Sequence, residues 1–169
     1  MKKVLDIGSG KIYYKPKEDE EVIHIDRVKL EHVETIANIE ISLPFKDNTF
    51  DKLIINHVLE HVNNMINIME ECYRVLKNQG ELVITGPYYT SIGAFQDPTH
   101  KHFLTENTMN YFLTNTGFDY YSKARFELIE TRFNYAKSYG LRFLPFKNIL
   151  RYFLLNMVRE IQFRLKAKK

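Results

Sequence analysis

Five short apolar runs constrain this chain more than any other feature. KVLDI (3–7) stops at Gly8, EVIHI (21–25) at Asp26, ETIANI (34–39) is weaker, and FDKLIIN (50–56) and GELVITG (80–86) follow. Such runs are too short for buried helices and have the length of strands covered on both faces. Between the fourth and fifth, residues 58–78 place Val62, Met65, Ile66, Met69, Tyr73 and Leu76 at helical spacing, with a stop at Asn78-Gln79-Gly80. Strands alternating with a helix predict an α/β sheet, parallel in its first half. Ligands of such sheets sit at the carboxyl ends of strands, where strand order reverses. The Gly8–Gly10 loop and Asp26 both fall there.

The second half is less regular. A polar-aromatic loop covers 87–104, and 105–118 reads as a helix with Thr105 as N-cap. Residues 126–136 and 139–146 read as strands, and 146–165 as a helix with Phe146, Ile149, Leu150, Phe153, Met157, Ile161 and Leu165 on one stripe. The expected organisation is a domain over 1–145 followed by a basic amphipathic helix, 146–169, packed on the domain or a partner. Seven lysines and arginines against Glu160 give that segment +6, leaving 1–145 at −3 within a net +3. An acidic body gives no strong nucleic-acid signal; the basic helix is a candidate for peripheral membrane contact or a homodimer interface. Without a run of 18 apolar residues or a signal-peptide pattern, and with Cys72 as the single cysteine, a cytoplasmic location is expected, including the inner membrane surface.

The first glycine loop leaves three readings. A dinucleotide fingerprint needs G-x-G-x-x-G opening a helix, but Tyr13 stands in the third glycine's place and Pro16 with a charged run limits any helix. A tight turn needs only the glycines. S-adenosylmethionine carries no phosphate; it needs close backbone and an acid at the next strand end for its ribose, and Asp6 and Asp26 suit that.

LPFKDNTFDKLIINHVLEHV (43–62) and RVLKNQGELVITGPYY (74–89), preceded by LDIGSG and IHID, closely resemble class I S-adenosylmethionine-dependent methyltransferases over about residues 3–90. The family pattern reads L-P-F-x-D-x-x-F-D, L-E-H-V and R-V-L-K-P-G-G. SIGAFQDPTHKHFLTENTMNYF (91–112) resembles a block of a subgroup with a short segment between the first two strands. The resemblance implies a Rossmann-like seven-stranded sheet with an antiparallel last strand, here with a reduced first helix and an extra C-terminal helix. It implies S-adenosylmethionine as cofactor, held by Asp6, Gly8, Ser9 and Gly10 of the loop, by Asp26 at the ribose, by Asn38 and Ile39 beside the adenine, and by Arg27, Asn56 and His57. The N-terminal helices that cover the site in many relatives are not expected, so other parts must exclude water.

His57 to His61 spells H-x-x-E-H, the inverted zinc-peptidase pattern, but a strand ending at His57 separates the two histidines, and no metal is expected. The family implies structural roles for Glu60 and His61. Asp97, His100 and His102 form a second cluster on the long loop. Histidine suits the proton transfer an oxygen acceptor needs, so His100 and His102 are the catalytic candidates. Tyr88, Tyr89 and Asp97 are the acceptor-binding candidates. The expected function is methylation, on oxygen, of a small-molecule, saccharide or lipid-linked acceptor; the alternative is a non-catalytic interaction or regulatory protein of the same fold.

Overall fold

A computed structural model describes residues 1–118, 120–136 and 145–169. Seven strands form one sheet: β1 (Lys2–Ile7), β2 (Glu20–Asp26), β3 (Thr35–Ile36), β4 (Phe50–Asn56), β5 (Leu76–Pro87), β6 (Phe126–Tyr135) and β7 (Val158–Ala167). Their spatial order is β3-β2-β1-β4-β5-β7-β6. The pairs from β3 to β5 are parallel, and β7 runs antiparallel to both its neighbours. The order reverses at β1, between β2 and β4, which puts the carboxyl ends of β1, β2 and β4 around one crevice. The seven-stranded α/β sheet with its antiparallel strand is the one expected.

Helix α1 (Met65–Val75) is shorter than the expected 58–78. Asn64 caps it, its side chain accepting from the Asn67 amide at 3.1 Å, so residues 58–63 are left as a turn. The buried face of α1 is Ile68, Met69, Cys72 and Val75, packed on Leu53, Ile55, Leu82 and Ile84 of the sheet. Burial pushes the Cys72 thiol far above its ordinary pKa, so it is an inert core group. The helix ends directly in β5, and the left-handed residue there is Gln79 (φ +65°) rather than Gly80.

Three further expectations are corrected. Residues 8–19 contain no helix at all; Tyr13 stacks on His32 at 3.7 Å and meets the edge of His24 at 5.0 Å, an aromatic cluster in place of a reduced first helix. The expected 105–118 helix is a 3-10 segment over Thr108–Phe112. Thr105 and Thr108 bond locally, the Thr105 amide donating to the Thr108 hydroxyl at 2.8 Å, which competes with a regular helix.

The largest correction is the basic C-terminal helix, and with it the division at residue 146. Only Lys147–Leu150 is helical (α2), whereas Val158–Ala167 is strand β7, inserted between β5 and β6. Met157, Ile161 and Leu165 satisfy a helical period, but Ile161, Phe163, Leu165 and Ala167 satisfy the strand period and are all buried. Pairing with two neighbours decides between them. The expected strand at 139–146 lies outside the described residues over 139–144.

Candidate active site

Two cavities open at the carboxyl ends of the parallel strands. The first, about 680 Å³, is lined by Gly8, Asp26, Arg27, Asn38 and Ile39 on one side and by Val58, Asn63 and Lys101 on the other. The second, about 790 Å³, is lined by Glu60, Asp97, His100, Arg159 and Glu160 among others. His57 and His61 line both and stand between them.

The first cavity follows from the strand ends. Gly8 takes a left-handed conformation (φ +65°), and a Cβ there would collide with Val58, so glycine lets the loop close on the turn after β4. Asp26 ends β2, and its carboxylate is fixed by two amides, Gly10 to Oδ2 at 2.9 Å and Val28 to Oδ1 at 3.0 Å. A carboxylate offers about four lone-pair positions, so a further acceptor remains on each oxygen. Of the expected cofactor residues, Gly8, Asp26, Arg27, Asn38, Ile39 and His57 line this cavity. Gly10 acts through Asp26. Asp6 is buried and accepts from the Tyr14 amide at 2.9 Å, with His24 Nδ1 at 3.0 Å, so it builds the loop from beneath. Ser9 Oγ lies 3.3 Å from His32 Nε2, and Asn56 pairs with Thr85 in the sheet; neither lines a cavity.

At the junction, His57 has a left-handed backbone (φ +53°), rare for a residue with a side chain. Its Nε2 lies 3.2 Å from Glu160 Oε1, and its Nδ1 lies 3.3 Å from Glu60 Oε1, an ion-pair contact without hydrogen-bond alignment. Glu160 and then Glu60 raise the imidazole pKa to about 9, so it is a cation at neutral pH. The same contact with His57 holds Glu160 down at about 2.

The turn before α1 clamps the long loop. The Glu60 carbonyl accepts from the amides of Lys101 at 2.6 Å and His102 at 3.2 Å. His61 Nδ1 lies 2.8 Å from Thr99 Oγ1, and that hydroxyl donates to Asp97 Oδ1 at 2.7 Å. His100 Nδ1 lies 2.9 Å from the Ala94 carbonyl. His100 and Asp97 therefore face the second cavity. His102 does not: its Nε2 meets the Val62 carbonyl at 2.9 Å and it lines neither cavity. Tyr88 is fully buried, donates to Glu106 at 2.7 Å and has its hydroxyl pKa pushed far up by burial; Tyr89 packs on the core. Neither lines either of the two cavities. Sequence reasoning missed Arg159 and Glu160 because their segment read as helix. It set Glu60 and His61 aside because the family resemblance implies structural roles for them.

A family of methyltransferase domains matches residues 5–84. An uncharacterized protein of Methanocaldococcus jannaschii is 42% identical over 89 residues, covering 48% of this chain and 39% of that protein. The ubiquinone/menaquinone biosynthesis C-methyltransferase of Escherichia coli is 35% identical over 72 residues, covering 39% of this chain and 29% of that enzyme. The matches thus span well under half the length of these curated relatives. A crystal structure of an S-adenosylmethionine-dependent methyltransferase from Archaeoglobus fulgidus superposes with a TM-score of 0.67 at 20% identity, covering 98% of this chain and 86% of that one, a likeness of fold.

Proposed function

From the premise that this chain belongs to the class I S-adenosylmethionine-dependent methyltransferase family, we propose that it methylates an oxygen of an acceptor held in the second cavity. The observation that carries this reading is that two cavities meet at His57 and His61, so that a donor in one and an acceptor in the other share a wall. S-adenosylmethionine, bound in the first cavity, supplies a methyl carbon already made electrophilic by its sulfonium.

The chain's task is then to align and exclude water. Asp26 holds the ribose through its remaining lone pairs, and Asn38 and Ile39 flank the base. The Asp97–Thr99–His61 chain and the two loop amides on the Glu60 carbonyl fix the 97–102 loop against the turn before α1. The acceptor hydroxyl is turned toward the Glu60, His61 and His100 group; His102 has no part in it. The acceptor is a small molecule, a saccharide or a lipid-linked molecule, and one surface favours an apolar portion. Ile92 on the cavity wall is exposed, and Phe146, Phe153 and Leu155, in the stretch leading to cavity residue Asn156, are each about three-quarters exposed. No helix among the described residues is long and apolar enough to cross a membrane, so such contact would be peripheral.

Calorimetric titration with S-adenosylhomocysteine, with NAD as control, tests the reading. Micromolar binding of the first and none of the second is expected. No binding of S-adenosylhomocysteine overturns it, and binding without turnover across hydroxylated acceptors favours the non-catalytic relative.

A further inference from the structure

The second cavity contains a group of side chains that cofactor binding does not use. Glu60 is 1% exposed, and neither of its carboxylate oxygens has a hydrogen bond. A buried carboxylate left in that state is costly, and the off-line contact with His57 at 3.3 Å meets only one oxygen. One donor atom from each of Glu60, His61 and His100 lies within 4.8 Å of the other two. The His61 and His100 rings meet edge to face, 4.6 Å between centroids.

The two imidazoles are also set in one tautomer. The Ala94 carbonyl can only accept, so His100 Nδ1 is the donor in that 2.9 Å bond. The Thr99 hydroxyl hydrogen is directed at Asp97, so its oxygen accepts from His61 Nδ1. Both rings therefore carry their free lone pair on Nε2. Histidines that ligate metals are oriented in this way, by donating the other ring N–H to a carbonyl or to a carboxylate-linked group. H-x-x-E-H contributes here without a helix: its Glu60 and His61 join His100 from the long loop, and His57 stands aside on Glu160.

We propose that Glu60, His61 and His100 form a binding site for a divalent transition-metal cation of the zinc type, with its open coordination positions toward the acceptor cavity. Two imidazoles and one carboxylate suit such borderline cations, whereas magnesium and calcium take all-oxygen sets. Tetrahedral bonds of about 2.0–2.2 Å place ligand atoms about 3.3–3.6 Å apart, so side-chain movements that close the group by up to about 1.5 Å complete the set. Asp97 is then a positioning residue, holding His61 through Thr99. The role of the cation rests on the methyltransferase reading. It acidifies an acceptor hydroxyl that touches it, and the proton passes to solvent. The oxygen forms a bond to the methyl carbon while the carbon–sulfur bond breaks, its electron pair staying on sulfur.

The test uses the full chain, stripped with a chelator. It is titrated with Zn²⁺ by calorimetry and with Co²⁺ by visible absorption, and S-adenosylhomocysteine binding is measured on the same samples. One equivalent of metal is expected, with His61→Ala and His100→Ala each weakening it by about tenfold or more. Glu60→Gln, close in shape, should do the same with the circular dichroism of the parent, and His102→Gln should bind metal as the parent does. Absence of binding to the parent, or parental binding in all three ligand variants, overturns the site. Bound S-adenosylhomocysteine without metal removes the metal site and leaves the methyltransferase reading. Bound metal without S-adenosylhomocysteine keeps the site and removes its role in methyl transfer.

Discussion

Asp26 joins the glycine loop to the first cavity. Its two oxygens already hold the Gly10 and Val28 amides, so the carboxylate is positioned before anything binds. Asp26→Ala is expected to weaken S-adenosylhomocysteine binding by about 1–3 kcal/mol, since a charged acceptor is lost and the Gly10 amide is released. Calorimetry reads this directly, and an unchanged affinity would remove Asp26 from the site. The residues on this side were legible in the sequence because they sit where short apolar runs end, and a strand end is fixed by periodicity alone. Asp6 shows where that logic stops: it has the right spacing, but its lone pairs go to Tyr14 and His24, partners that only the folded loop brings near.

Helix α1 is stapled to the loop before β4 by Arg74. Its guanidinium reaches Glu71 Oε1 at 2.7 Å, the Phe45 carbonyl at 2.8 Å and the Leu43 carbonyl at 2.9 Å, while Glu71 Oε2 accepts from the Leu43 amide at 2.8 Å. The L-P-F and R-V-L-K blocks, thirty residues apart in the motif reading, meet at this one side chain. Arg74 holds the Glu71 carboxyl below its ordinary value of 4.5. A carboxyl lowered on folding stabilises above its unfolded pKa and loses that contribution as pH falls through the folded one. Glu71→Gln should therefore cost about 1–2 kcal/mol near neutral pH, with the gap from the parent closing as pH falls below 4.5 and through the folded-state value. Urea melts at both pH values would show it, and a pH-independent gap would refute it. The Asn64 cap that starts α1 is local and was overlooked in the sequence, whereas the turn at 58–63 before it is held by the loop amides on the Glu60 carbonyl, a contact that only the fold brings about.

In the whole molecule, the basic C-terminal segment is part of the sheet. Arg164 pairs with Glu81 of β5 at 2.8 Å and with Glu130 of β6 at 3.1 Å, and Lys168 pairs with Glu127, so charges that read as a docking face are met within the sheet. The misreading has a physical cause: apolar residues at 157, 161 and 165 serve a helix, those at 161, 163 and 165 serve a strand, and only β5 and β6 choose. Deleting residues 158–169 should abolish the cooperative thermal transition and the far-ultraviolet signature of the sheet, because Ile161, Phe163 and Leu165 are all fully buried. A truncated protein with a sharp melt would overturn the placement of β7.

The position of β7 also orders events in time. The parallel strands β1, β2, β4 and β5 can assemble as they leave the ribosome, but β6 has no strand to pair with until residues 158–167 arrive between it and β5. During synthesis the edge of β5 is exposed for the length of some seventy residues of chain. A late-arriving strand with long-range partners on both sides makes folding slow and the nascent chain prone to edge-to-edge association. The last step of folding also completes the second cavity, because Arg159 and Glu160 reach it on that strand. A chain released before this step would therefore lack one wall of that cavity.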